Sequence, residues 1–199
     1  MLSEILAFVA LINPFALFLY LDSVRRDLSF AKFTYVIFKA SVISFAVSIL
    51  FFIAGDYILR EIFNINFNSF RIFGGIVIFT SAYLFVVKGG GALIHYKDDL
   101  DDLASDIALP FMVGAGTISL SILMSQNMGL ASGMITHLII FGIVFFTIVI
   151  LAFLRAQFDK RKFRVAFDKN LSVLLRLSGF ILGSIGVDMI LSGILAFFS

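Results

Sequence analysis

In 199 residues, apolar side chains make up 61% and charged ones 14%, with a formal net charge of +2, against roughly 45–50% and 25% in soluble domains. That balance excludes a soluble domain and implies an integral membrane protein. The absence of cysteine also excludes disulfides and thiolate metal sites.

Six membrane helices are expected from uncharged runs at about 20 residues per crossing. The first spans about 5–21. It follows Glu4 rather than Lys or Arg and lacks a small-x-small cleavage site, so it reads as a retained helix and not a signal peptide. Inside it, Leu11-Ile-Asn-Pro-Phe-Ala-Leu-Phe18 contains a helix breaker. Pro14 withholds an N–H and frees the carbonyl four residues earlier, while Asn13 offers a donor and an acceptor. The second helix, about 33–55, carries Lys39, which is expected to snorkel to the headgroups. The third, about 70–87, opens with Arg71-Ile-Phe-Gly74.

Residues 89–106 form a glycine-rich and then acidic linker. Its five aspartates at 98–106 read as a solvated face, a divalent-cation or regulatory site being the alternative. The uncharged run 107–154 then holds two helices, about 107–126 and 133–154, with a turn at 126–133. The fourth contains Val113-Gly-Ala-Gly-Thr-Ile-Ser-Leu120, where Gly114 and Gly116 lack Cβ atoms and Thr117 and Ser119 add hydroxyls. His137, near the outer end of the fifth, reads as a packing or interface residue, with proton handling as the alternative. Lys160–Lys169 is basic with interleaved aromatics, as expected of a connection beside anionic lipid, and no nucleic-acid partner is inferred. The sixth helix, about 174–198, opens with Arg176-Leu-Ser-Gly179 and carries Asp188, with 11 uncharged residues on either side.

The two interrupted segments lie 101 residues apart and the two Arg-x-x-Gly motifs 105 apart, so each half holds three helices. Three is odd, so the second copy must insert upside down. The expected architecture is all-helical: a first three-helix repeat at 1–88, a cytoplasmic linker at 89–106 and an inverted repeat at 107–199, with helices 1 and 4 broken or kinked. Thirteen Lys and Arg residues fall on the face holding the first, third and fifth connections and two, Arg60 and Arg71, on the other. By the positive-inside rule both termini face outward.

Irregular backbone within lipid is tolerated only where it is buried in protein or lines a wet cavity. The breaks are therefore candidate binding elements, with half-helix N-termini able to cradle a carboxylate. Asp188 is a candidate ion-coupling group on the expectation that it is buried, since charge in a membrane interior is costly. Coupling to H⁺ or Na⁺ is open. No Ser/His, paired-Asp or zinc-ligand constellation sits at one depth, so no enzyme activity, metal or other cofactor is expected.

Leu11-Ile-Asn-Pro-Phe15, Ala108-Leu-Pro-Phe-Met-Val-Gly-Ala-Gly-Thr-Ile-Ser119, Gly55-Asp-Tyr-Ile-Leu-Arg-Glu-Ile-Phe-Asn-Ile65 and Phe70-Arg-Ile-Phe-Gly-Gly-Ile-Val-Ile-Phe79 resemble the MarC/SnatA-type inner-membrane proteins across essentially the whole chain. The resemblance implies six helices in two inverted repeats, an architecture related to LysE-type exporters, and transport of small neutral amino acids such as glycine and alanine. The family's Asn-Pro motif falls on Asn13 and Pro14, and its Gly-Pro-Gly motif on Gly114, Ala115 and Gly116. Ala16 stands where a Gly usually follows, and Ala115 replaces the middle Pro. The substrate site is expected near the midplane, between Asn13-Pro14-Phe15 and Gly114-Ala115-Gly116-Thr117. The expected partners are that substrate and the lipid bilayer, and a homo-oligomer is compatible with the sequence. Two other readings stay open: an exporter or channel for another small solute, and a non-transporting membrane scaffold.

Overall fold

The computed structural model describes residues 1–88, 100–157 and 161–198, and every regular element among them is helical. In chain order these are α1 (Leu2–Ile12), α2 (Pro14–Tyr20), α3 (Asp22–Asp27), α4 (Phe30–Tyr57), α5 (Phe67–Lys88), α6 (Leu100–Ile107), α7 (Ala115–Asn127), α8 (Leu130–Gln157) and α9 (Arg161–Leu195). Wider π turns follow α4 at Ile58–Ile62 and α6 at Ala108–Met112. Among the described residues, five stretches are long and apolar enough to cross a membrane: Leu2–Leu19, Phe30–Ile62, Phe67–Val87, Leu130–Gln157 and Lys169–Leu195. Their outer surfaces carry Leu6, Ile53, Phe73, Phe146 and Phe180, all more than half exposed. Lipid can solvate such a coat and water cannot.

The first crossing is broken at Asn13, which takes φ 48° and ψ 74°. This left-handed conformation is one that Asn visits more readily than other side-chain-bearing residues. Pro14 then begins α2, where its missing N–H costs nothing because that donor has no helical partner. Asn13 Oδ1 accepts the Ala16 N–H at 3.2 Å, which caps the new helix. Two adjacent residues thus end one helix and start the next.

α4 and α8 pack together and are surrounded by α1, α2, α6 and α7. The main core contains Phe8, Phe18, Phe33, Ile37, Ile107 and Ile140, all buried. α5 and α9 pair along their length. There a Cβ on Gly75 would lie 2.6 Å from the Gly186 carbonyl, and one on Gly186 would lie 2.8 Å from that of Gly75. The two backbones touch, a contact open only to glycine, and close approach of this kind substitutes in lipid for a hydrophobic driving force.

Three boundaries differ from those expected. The linker does not extend to 106: α6 begins at Leu100 and buries Leu103, Ala104 and Ile107. Aspartates in its first turn suit the positive end of the helix dipole, so the acidic run starts a helix. α9 begins at Arg161 and spans 35 residues, about 52 Å at 1.5 Å per residue and well beyond the roughly 30 Å apolar thickness. The basic segment from Arg161 onward is therefore the start of a helix. Finally, α3 is a short helix in what was expected to be a connection. The glycine-rich start of the linker, including Lys97 and His95, lies outside the described residues.

Candidate functional site

The second interruption occupies 108–114, upstream of where the glycines suggested. Leu109 takes φ −119° and ψ 118°, the extended conformation favoured for a residue preceding proline, here Pro110. Val113 and Gly114 are also extended, and α7 starts at Ala115. The helix is therefore fully interrupted between α6 and α7 although Ala115 is not proline. Gly114 has φ −136° and ψ −179°, open to any residue. Thr117 Oγ1 closes the new N-terminus, accepting the Gly114 N–H at 2.9 Å and donating to the Gly114 carbonyl at 3.0 Å.

The two breaks flank one cavity of about 500 Å³. From the first break it is lined by Leu11, Ile12, Ala16 and Leu17; from the second, by Gly114, Ala115, Gly116 and Thr117. Phe73 and Val77 of α5 and Leu182 of α9 supply apolar walls. All four expected residues of the second motif thus reach the cavity. Asn13, Pro14 and Phe15 are not among its lining residues, although Ile12 and Ala16 on either side of them are. Asn13 is 2% exposed, and its Nδ2 has no hydrogen-bond partner. With Oδ1 committed to the cap, the free atom of Asn13 is a donor. A donor suits an anionic group.

Gly116 is fixed by packing: a Cβ there would lie 2.4 Å from Ile78 Cδ1 on α5. One turn further along α7, Ser119 is buried and its hydroxyl has no partner; the same holds for Ser44 and Ser48 on α4. Serines at 41, 44 and 48 follow helical spacing within an uncharged run, a signal the sequence offered. Pro110 was another.

Asp188 does not meet the burial on which its role rested. It is exposed and lines a separate open groove with Tyr83 and Gly183, sharing no residue with the cavity at the breaks. Its helix is apolar on every side, so depth along the sequence did not reveal direction. His137, in contrast, is fully buried. Its Nδ1 lies 2.9 Å from the Gly133 carbonyl and its Nε2 3.1 Å from Ser121 Oγ. The edge-on rings of Phe8 and Phe52 sit with centroids 5.4 Å away. It lies in the packed interior and not at a membrane interface. Lys39 pairs with Asp101 of α6 at 2.5 Å, a partly exposed pair worth about 0–1 kcal/mol that ties α6 to α4.

A family model described as MarC family integral membrane protein matches residues 1–198. Among curated relatives, a UPF0056 membrane protein of Pyrococcus horikoshii is 28% identical over 194 residues, covering 96% of this chain and 92% of that protein. One of Buchnera aphidicola is 29% identical over 198 residues, covering 95% and 89%. The UPF0056 membrane protein YvbG of Bacillus subtilis is 29% identical over 168 residues, covering 80% and 77%. No solved structure matches.

Proposed function

We propose, for a chain that belongs to the MarC family of integral membrane proteins, that it is a secondary transporter of small neutral amino acids such as glycine and alanine in the inner membrane, coupled to a cation. The observation that carries this reading is the meeting of both helix interruptions at one cavity. Interrupted segments in corresponding positions of two halves are where transporters of inverted-repeat design bind their substrates. In this reading the amino acid's carboxylate receives the first-turn N–H groups of α7 and Asn13 Nδ2. Its ammonium takes the last carbonyls of α1, including that of Ala10, which has no i+4 donor because the residue there is Pro14. α2, with seven residues, is too short to share that work.

The inverted repeat is part of the proposal. It is supported by α4 and α8, both 28 residues long and starting 100 apart at Phe30 and Leu130. It is supported also by helix starts at Pro14 and Ala115, each just after an interruption. α6 and α7 together then make the remaining crossing, fourth of six in chain order. In this topology both termini lie outside and the connection between Lys88 and Leu100 in the cytoplasm. Cysteines introduced singly near residues 2 and 95 of this Cys-free chain should react with an impermeant reagent from opposite sides, and same-side labelling would reject the six-crossing arrangement.

A second reading is favoured by the cavity's walls: Phe73, Val77 and Leu182 suit a bulkier apolar solute than glycine. One experiment separates the two. Proteoliposomes holding the purified protein are offered labelled glycine, alanine, leucine, an inorganic cation and a sugar. Saturable uptake of glycine and alanine is expected; preference for leucine selects the second reading, and uptake of none of the panel rejects both.

A further inference from the structure

Hydrogen counting around His137 places a proton-binding site one turn from the cavity. The Gly133 carbonyl can only accept, so the 2.9 Å contact requires a hydrogen on Nδ1. Ser121 Oγ lies 3.1 Å from Nε2 and 2.9 Å from the Thr117 carbonyl, which also can only accept. A hydroxyl has one hydrogen. If the imidazole is neutral, the hydroxyl donates to Nε2 and the Thr117 carbonyl keeps the helical N–H of Ser121. If the imidazole carries both protons, Nε2–H donates to Ser121, Ser121 donates to Thr117, and every group is matched.

The ring is fully buried between Phe8 and Phe52. Its hydrogen bonds accommodate both protonation states, and one rotation of the Ser121 hydroxyl interconverts them, which is what a reversible proton site requires. The charged groups on the packed elements lie elsewhere. On α1, Glu4 sits one turn beyond Phe8 and pairs with the N-terminal ammonium. On α4, Asp56 sits one turn beyond Phe52 and pairs with Arg60 at 2.9 Å, while Lys39 is 13 residues back and pairs with Asp101. α7 has no charged residue, and the only one on α8, Arg155, is 18 residues from His137.

We infer that His137 is the proton-coupling group of this protein and that Ser121 is its relay to the substrate cavity; the inference rests on the transport reading above. Gain of a proton turns the Ser121 hydroxyl from the imidazole to the Thr117 carbonyl. Thr117 lines the cavity, and its Oγ1 holds Gly114 at the second break. The proton is thereby coupled to the α7 N-terminus where the carboxylate would sit. By linkage, a substrate that favours the protonated arrangement makes His137 bind its proton more tightly, and a proton makes the substrate bind more tightly.

The test compares wild type, His137→Gln, Ser121→Ala and Asp188→Asn in proteoliposomes. Two quantities are measured: labelled glycine exchange at equal pH, and glycine accumulation driven by an imposed pH difference. Wild type and Asp188→Asn should do both. His137→Gln should exchange at a rate that no longer varies with pH and lose accumulation by about tenfold or more, with Ser121→Ala in between. Wild-type accumulation and pH profile in His137→Gln overturns the inference while the transport reading stands. Absence of exchange in wild type removes both. Should His137→Gln fail to fold, ¹⁵N imidazole spectra of the His95→Gln protein, in which His137 is the only histidine, decide the matter. A ring that titrates between about pH 5 and 8, and binds its proton about fivefold or more tightly with glycine, supports the site. A ring that stays neutral and ignores glycine overturns it.

Discussion

Gly114→Leu is expected to give a protein that inserts and folds but has lost most of its glycine and alanine transport. The backbone at 114 is extended, so a side chain adds no conformational strain. The hydrogen bond to Thr117 Oγ1 uses the Gly114 N–H and survives the substitution. What changes is the cavity, of about 500 Å³, which Gly114 lines. Fitting a substrate beside the new isobutyl group amounts to overpacking, at about 1–3 kcal/mol, or roughly five- to a hundredfold in affinity. Gly116→Leu is the less clean variant, because its Cβ already meets Ile78 on α5 and folding would suffer as well. Labelled uptake alongside an elution profile and helical circular dichroism checks both halves of the statement. Wild-type transport by Gly114→Leu would mean that the substrate passes elsewhere.

Asn13→Gly separates the two duties of Asn13. Glycine adopts φ 48° freely, and exchanging a cap side chain for glycine costs only a few tenths of a kcal/mol, so the break and the fold should persist. The unpartnered Nδ2 is lost, however. If it donates to the substrate carboxylate, its removal should weaken glycine affinity by about ten- to a hundredfold, the equivalent of about 1.5–3 kcal/mol for a hydrogen bond to a charged group. Asn13→Ala should additionally lower stability by about 1–2 kcal/mol from the left-handed backbone and about 1 kcal/mol from the missing cap. Thermal unfolding in detergent, measured with glycine titrations, distinguishes the pair. Undiminished affinity in Asn13→Gly would confine Asn13 to capping.

Much of the site was legible because helix breaking is a local property. Asn13-Pro14 announces a break through one missing N–H and one residue tolerant of positive φ, and the structure breaks there. At the second break the glycines marked the cavity-lining turn, yet the interruption begins at Leu109 because Pro110 excludes the helical conformation from its predecessor. The acidic run was misread as linker because aspartates suit a solvated loop and a helix's first turn equally well. Nothing in the run itself discriminates; burial of Leu103 and Ile107 against the bundle does.

The sequence by itself determined that this chain lives in a membrane, that it is built of long apolar helices and that the backbone is interrupted near Asn13-Pro14 and ahead of Gly114, since hydropathy, length and proline geometry are written residue by residue. Only the tertiary structure decided which side chains meet. In water an amphipathic stripe tells inside from outside, but lipid is as apolar as a protein core, so the helix bearing Asp188 and the helix bearing His137 look alike from every side. Packing turned Asp188 outward to an open groove and His137 inward to Ser121. That choice depends on small residues letting particular helices approach, a property of pairs of helices that no single segment carries.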